Sequence, residues 1–201
     1  MNNKRNIAGL FSIICFFGFM LSFTSCAYVP EKVQVAYEPI MHSNPVATAI
    51  GTNVVVNVID NRRNGKRVSS KKGDYGIELA GIKLEGELAD EVANAVITEL
   101  ESLGCTIATG GMEIEVEIQK FYNEFKQGFF RARGIAELIL AVSVEKSDGN
   151  IVYSKTIMGF GENDKMWVQS GKNAKAALDT AFNDAIHRLV SDQAFLQSLK
   201  K

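Results

Sequence analysis

Cysteine is scarce in this chain and poorly placed for a disulfide. Three occur, Cys15, Cys26 and Cys105, and the first two stand within 26 residues of the start. If the leading segment is removed and Cys26 is modified, as argued below, Cys105 has no partner. A disulfide scaffold and a cysteine metal cluster are then both excluded. Proline is as sparse: Pro30, Pro39 and Pro45 are the whole supply, so nothing beyond Gly51 is interrupted by it. An excess of one charge is lacking too. The net charge is −1 overall, which argues against a general polyanion binder. Histidine occurs twice, His42 and His187, and neither has a Ser, Cys or Asp partner by local pattern. No internal repeat or low-complexity break divides residues 52–201, which read as a single domain with enough apolar residues for a real core.

What is present begins at the N-terminus. Lys4 and Arg5 precede an apolar run from Ile7 to Phe23, which ends in Thr24, Ser25 and Cys26. A positive start, an apolar middle and small residues at a cut site make a secretory signal over residues 1–25. The end of this segment resembles a bacterial lipobox, with Phe23 where leucine is commonest and Ser25 where glycine or alanine is. That resemblance implies a covalent lipid on the Cys26 sulfur, a diacylglycerol with a further acyl chain such as palmitate on the amine. Two readings compete with it. An uncleaved membrane helix needs roughly 20 apolar residues, but Gly9, Ser12 and Gly18 interrupt the run and no positive flank follows Ala27. Ordinary cleavage near Ser25 or Ala27 would instead release a soluble protein. Ala27, where an aspartate is absent, directs the expected lipoprotein to the outer membrane, with its domain in the periplasm. The mature chain would have 176 residues and a net charge of −3, from 20 basic against 23 acidic residues.

With all three prolines between residues 30 and 45, residues 26–51 read as a lipidated N-terminus and tether. The one ordered candidate there is a short edge strand over Val33–Tyr37. Asn53–Asp60 is a valine-rich buried strand. Leu84 to Leu103 has helical spacing, with Leu88, Val92, Ala95 and Val96 on one apolar face, Glu99 intruding on it, and Gly104 as the stop. Met112–Ile118 alternates Glu113, Glu115 and Glu117 with Ile114, Val116 and Ile118, a strand with one wet face. Ile135–Val144 and Ile151–Phe160 are strands joined through Asp148-Gly149, a hairpin signal. Asn173–Val190 is a second amphipathic helix, and Asp192 opens a short closing one. The order predicts an α+β fold: a mostly antiparallel sheet with two main helices packed on one face.

The strand from Asn53 to Arg62, the run Phe121-Tyr122 through Gln127-Gly128 into Arg131 and the strand from Ile135 to Val144, and the stretch from Ala174 to Leu199 resemble the YajG family of bacterial lipoproteins. The likeness spans about residue 50 to the C-terminus, together with the lipidated start. It implies outer-membrane association and offers no catalytic residues. By fold analogy alone, the sheet-and-two-helix plan is similar to the TolB N-terminal domain and to the CsgG and LpoB lipoproteins.

The most distinctive chemistry is basic. Arg62, Arg63, Lys66, Arg67, Lys71 and Lys72 occur with no acid from Asn61 to Gly73. Such forks and ammonium groups suit phosphates or carboxylates, and a solvated hairpin is the plainer reading. Phe121, Tyr122, Phe125, Phe129 and Phe130 lead into Arg131 and Arg133, a partner surface or packing around Gly128. Tyr75 and Trp167 are weaker candidates of the same kind. Gly110-Gly111 and Gly159-Phe160-Gly161 lack the strand–loop–helix setting of a phosphate cradle, and Cys105 reads as a small buried hydrophobe. No cofactor, metal or nucleic acid is expected. The sequence favours a non-enzymatic, outer-membrane-anchored binding or adaptor module for an envelope protein or peptidoglycan. A self-associating structural subunit is the alternative, and an envelope hydrolase lacks a visible Ser, His and acid set.

Overall fold

The computed structural model describes residues 29–40, 51–127 and 132–200. In chain order they form β1 (Glu31–Val33), β2 (Asn53–Asp60), β3 (Arg67–Lys72), β4 (Glu78–Leu84), α1 (Leu88–Ser102), β5 (Thr106–Ile107), β6 (Met112–Gln127), β7 (Ala132–Glu145), β8 (Ile151–Met166), α2 (Gly171–Ser191) and α3 (Gln193–Ser198). The α+β class and the helices on one face of the sheet are as expected. The sheet is mixed: long antiparallel ladders join β6 to β7 and β7 to β8, while β1 with β4 and β2 with β6 are parallel.

β6 organises the sheet. One of its edges carries β7 throughout, and the other is shared. Its first half pairs with β2, from Val54↔Met112 to Asp60↔Ile118, and its second half meets β3 at Ser69↔Asn123. At the handover the β6/β7 register slips between Ile118 and Lys120. Before the slip Ile114, Val116 and Ile118 face the helices; after it Phe121, Asn123 and Phe125 do. One extra residue, Gln119, therefore moves the buried set from even to odd numbers, as a β-bulge must in a period-two strand.

The helices cover the inner face. α1 buries Leu88, Val92, Ala95, Val96 and Leu100, and ends where the Cys105 amide returns to the Leu100 carbonyl at 2.9 Å around Gly104, whose φ is +85°. α2 lies against β8 with an alanine face of Ala174, Ala177, Ala181 and Ala185, all buried. Gly159 and Gly161 explain the close approach. A Cβ at Gly159 would stand 2.2 Å from the Ala181 carbonyl oxygen, and one at Gly161 2.0 Å from that of Ala177. Phe121 and Phe182 meet edge-on at 6.3 Å in the core between them.

Two expectations change. The basic run expected as a solvated hairpin contains a largely buried strand, β3, which pairs with β4, so Leu84 ends a strand and α1 starts four residues later. Polarity concealed β3: Ser69, Ser70 and Lys71 are all buried, with Ser69 Oγ donating to the Asn123 carbonyl at 2.8 Å and Ser70 Oγ 3.1 Å from Tyr122 Oη.

Residues 29–40, expected as tether apart from an edge strand over Val33–Tyr37, are built into the domain, and the strand lies at Glu31–Val33. β1 adds to the β4 edge and buries Val33, and the following strap, residues 34–40, crosses both main helices. Asn183 treats the strap as a strand partner, its Oδ1 accepting from the Glu38 amide at 2.7 Å and its Nδ2 donating to the Ala36 carbonyl at 3.1 Å. Asp179 accepts from the Ala36 amide at 3.0 Å. Glu99, the acid on the apolar stripe of α1, is fully buried and accepts from Tyr37 Oη at 2.5 Å and the Ile40 amide at 2.9 Å.

Candidate functional site

The six basic residues between Asn61 and Gly73 do not form one patch. β3 runs through the middle of the set, and five of them meet acids from other segments or from the preceding strand. Lys66 pairs with Glu87 at 2.5 Å, Arg67 with Glu78 at 3.0 Å, Lys72 with Glu124 at 3.2 Å, and Lys71, nearly buried, with Glu31. Arg133 pairs with Glu162 at 3.4 Å. Exposed pairs of this sort contribute about 0–1 kcal/mol each, so they disperse the charge more than they stabilise the fold. Arg131, Phe129 and Phe130 lie outside the described residues, as do Cys26, His42 and the segment 1–25.

Arg62 is the exception in burial. Its side chain is 4 % exposed and folds back on Asp60, with Nε donating to Oδ1 at 2.8 Å and Nη2 to Oδ2 at 2.7 Å. Burial works to raise the Asp60 carboxyl; the side-chain and backbone hydrogen bonds from Arg62, with its charge, override it and hold the group below the usual carboxylate range. The third guanidinium nitrogen, Nη1, is buried without a hydrogen-bond partner. A buried guanidinium with an unmet donor is costly and calls for a structural or functional reason.

The surroundings of Arg62 supply one. The handover from β2 to β3 along β6 leaves a cleft of about 600 Å³, lined by Arg62, Arg63, Lys120, Gln119, Asn61 and Tyr122 among others. Gln119, the bulge residue, is part of its lining. Arg63 is exposed there, while Lys120 is ion-paired with Glu137 and Asn61 Nδ2 donates to Glu117 at 2.8 Å. Exposed Arg63 and the Lys120 ammonium, beside the buried Arg62 guanidinium and the Tyr122 rim, can receive a carboxylate or phosphate on a larger partner. Of the expected basic set, Arg62 and Arg63 line the cleft together and Lys120 joins them, while Lys66, Arg67, Lys71, Lys72 and Arg133 pair with acids outside it.

Burial pushes the Cys105 thiol up to about 11, so it stays protonated and inert at neutral pH. His187 sits beside the strap, Nε2 3.4 Å from the Glu38 carbonyl and its ring edge-on to Tyr37. Among the described residues no group of three His, Cys, Asp or Glu side chains is placed to hold a metal. No helix among them is long and apolar enough to cross a membrane.

The fold defines a helix-backed α+β sheet domain. The chain itself belongs to a family described as uncharacterized lipoprotein, the YajG family, whose sequence pattern matches residues 39–200. Among solved structures it is similar to a DUF330-family protein of Xanthomonas campestris, at 14 % identity and a TM-score of 0.61, over 84 % of this chain and 96 % of that one. A second, uncharacterized protein matches at 10 % identity and a TM-score of 0.51, over 81 % and 97 %. A minor lipoprotein from Acinetobacter baumannii gives 7 % identity and a TM-score of 0.45, over 72 % and 94 %. These identities speak to fold alone. No curated protein sequence matches the chain.

Proposed function

We propose that this lipoprotein is a non-enzymatic module, anchored by lipid on Cys26 to the periplasmic face of the outer membrane, which binds an envelope partner at the Arg62 cleft. The observation that carries the binding role is the cleft itself, where exposed Arg63 and Lys120 stand beside the buried Arg62 guanidinium. A carboxylate-bearing partner, an acidic protein face or peptidoglycan, fits those donors. The inert thiol and the strap-bound His187 support a role without covalent chemistry.

Two experiments test it. Globomycin should cause a larger precursor to accumulate, and an unchanged band removes the lipid anchor from the proposal. A photocrosslinker at Gln119 in cells should capture an envelope partner, and the double substitution Arg63→Glu, Lys120→Glu should abolish that product. Capture that survives both charge reversals would refute the cleft as the binding site, while a product linking two copies of this chain would establish self-association.

A further inference from the structure

Three consecutive residues hold together three segments that each expose apolar side chains. Lys71 Nζ donates to the Val29 carbonyl at 3.1 Å. The Lys72 backbone is clasped by the Gln169 amide, receiving from Nε2 at 2.9 Å and donating to Oε1 at 2.6 Å. The Gly73 amide donates to the Ile77 carbonyl at 2.8 Å. Val29, the turn bearing Tyr75 and Ile77, and the loop bearing Trp167 and Val168 therefore converge on one end of the domain, where β3 and β8 finish and α2 begins.

That end is apolar to a degree that a free surface does not require. Tyr75 is 99 % exposed, Trp167 78 %, Ile77 64 %, Val168 62 % and Val29 51 %. Single exposed apolar residues are ordinary; a cluster of them marks a contact surface. Tyr75 adds an independent sign. Its φ of +61° is the one positive value on a non-glycine residue in the described chain, a conformation that costs energy and persists at functional positions. Here the strained backbone holds a phenol ring fully in solvent.

The chain ahead of Val29 indicates what covers this end. Only Ala27 and Tyr28 separate Val29 from Cys26, and three residues of extended chain reach about 10 Å. A lipid on Cys26 therefore enters the bilayer within about 10 Å of Val29. We propose that the end carrying Tyr75, Ile77, Trp167 and Val168 rests in the headgroup region of the membrane that holds the lipid, so that the domain is seated on the bilayer and not suspended from it. Tryptophan and tyrosine are the side chains that favour that interface, with an apolar body and a polar tip. This inference depends on lipidation of Cys26 and is separate from the cleft.

Trp167 is the sole tryptophan and reports on its own surroundings. Full-length protein extracted from cell membranes is weighed by mass spectrometry for the lipid, then reconstituted into phosphatidylethanolamine–phosphatidylglycerol vesicles. With the lipid present, the expected result is blue-shifted emission, quenching by lipids brominated near the headgroup end of the chain, and loss of quenching by aqueous iodide. Substituting Ile77→Ser and Val168→Ser should restore iodide access while the protein stays folded and lipidated. Trp167 open to iodide in the lipidated wild type overturns the inference and leaves the anchor standing. Shielding from iodide without bromolipid quenching also overturns it, because another protein surface then covers the end. Absence of lipid from Cys26 overturns both.

Discussion

Tyr37 donates its phenolic hydrogen to Glu99 at 2.5 Å, joining the strap to the one acid buried on the inner face of α1. Glu99→Ala leaves the Tyr37 hydroxyl and the Ile40 amide without that acceptor. A loss of about 2–3 kcal/mol is expected in urea unfolding, with faster amide exchange in residues 36–40.

The same bond sets an alkaline limit. Burial first, then the hydrogen bond and negative charge of Glu99, push the Tyr37 phenol well above its ordinary value. A group raised in the folded state contributes fully below its unfolded value of about 10. Above that pH the unfolded chain ionises while the folded one does not, so stability should fall as pH rises past about 10. Tyr37→Phe should flatten part of that decline in pH-dependent melting.

Gly161→Ala places a methyl 2.0 Å from the Ala177 carbonyl oxygen. Because the obstacle is helix backbone, α2 has to move off β8, and a cost of about 3 kcal/mol is expected in chemical denaturation. Gly81→Ala is the matched control: its nearest neighbour stands 3.6 Å away at Arg67 Nε, and its effect should stay within about 0.5 kcal/mol.

Asp192 caps α3 through the Ala194 amide at 2.9 Å and also receives Lys155 at 2.6 Å and Tyr153 at 3.2 Å. The Lys155 hydrogen bond leads in holding its carboxyl below the usual value, against a smaller opposing effect of burial and with help from the Ala194 and Phe195 amides. A lowered carboxylate contributes above its unfolded value of about 3.9 and loses that contribution as pH falls through the folded one. Acid should therefore loosen the C-terminal turn first, visible as exchange at Phe195 to Leu199. Asp192→Ala should cost about 1 kcal/mol at neutral pH from the lost cap.

Lys71 and Lys66 separate buried from exposed pairing. Lys71→Met strands Glu31, which keeps the Gly171 amide at 2.7 Å and is partly solvated, so about 1–2 kcal/mol is expected, below the range for a fully buried pair. Lys66→Met breaks an exposed pair and should change stability by less than about 0.5 kcal/mol. Limited proteolysis near Val29 should accelerate for the first variant alone.

How legible these features were depends on whether local pattern or distant contact determines each one. The two main helices, the valine strand and the Asp148-Gly149 hairpin follow from spacing within a few residues, and each is found, with α1 starting four residues later than its pattern. β3 has no such pattern, because Ser69, Ser70 and Lys71 are buried by partners more than 40 residues away. The basic run shows the same difficulty from the other side. Lys66, Arg67, Lys71 and Lys72 look unopposed in sequence because Glu87, Glu78, Glu31 and Glu124 come from other segments. Glu99 was visible as an anomaly on an apolar stripe, but only the fold shows that a prolyl segment docks onto it. The glycines at 159 and 161 looked isolated; their reason is the alanine face of a helix that arrives later in the chain.

The seating of Glu31 has a mechanical consequence. A pull on the chain ahead of Val29 enters a strand whose acid is tied to β3 through Lys71 and to the first turn of α2 through the Gly171 amide. Tension is thus divided between the sheet and the helix layer at Glu31, and the edge of β4 is spared from being unzipped one pair at a time.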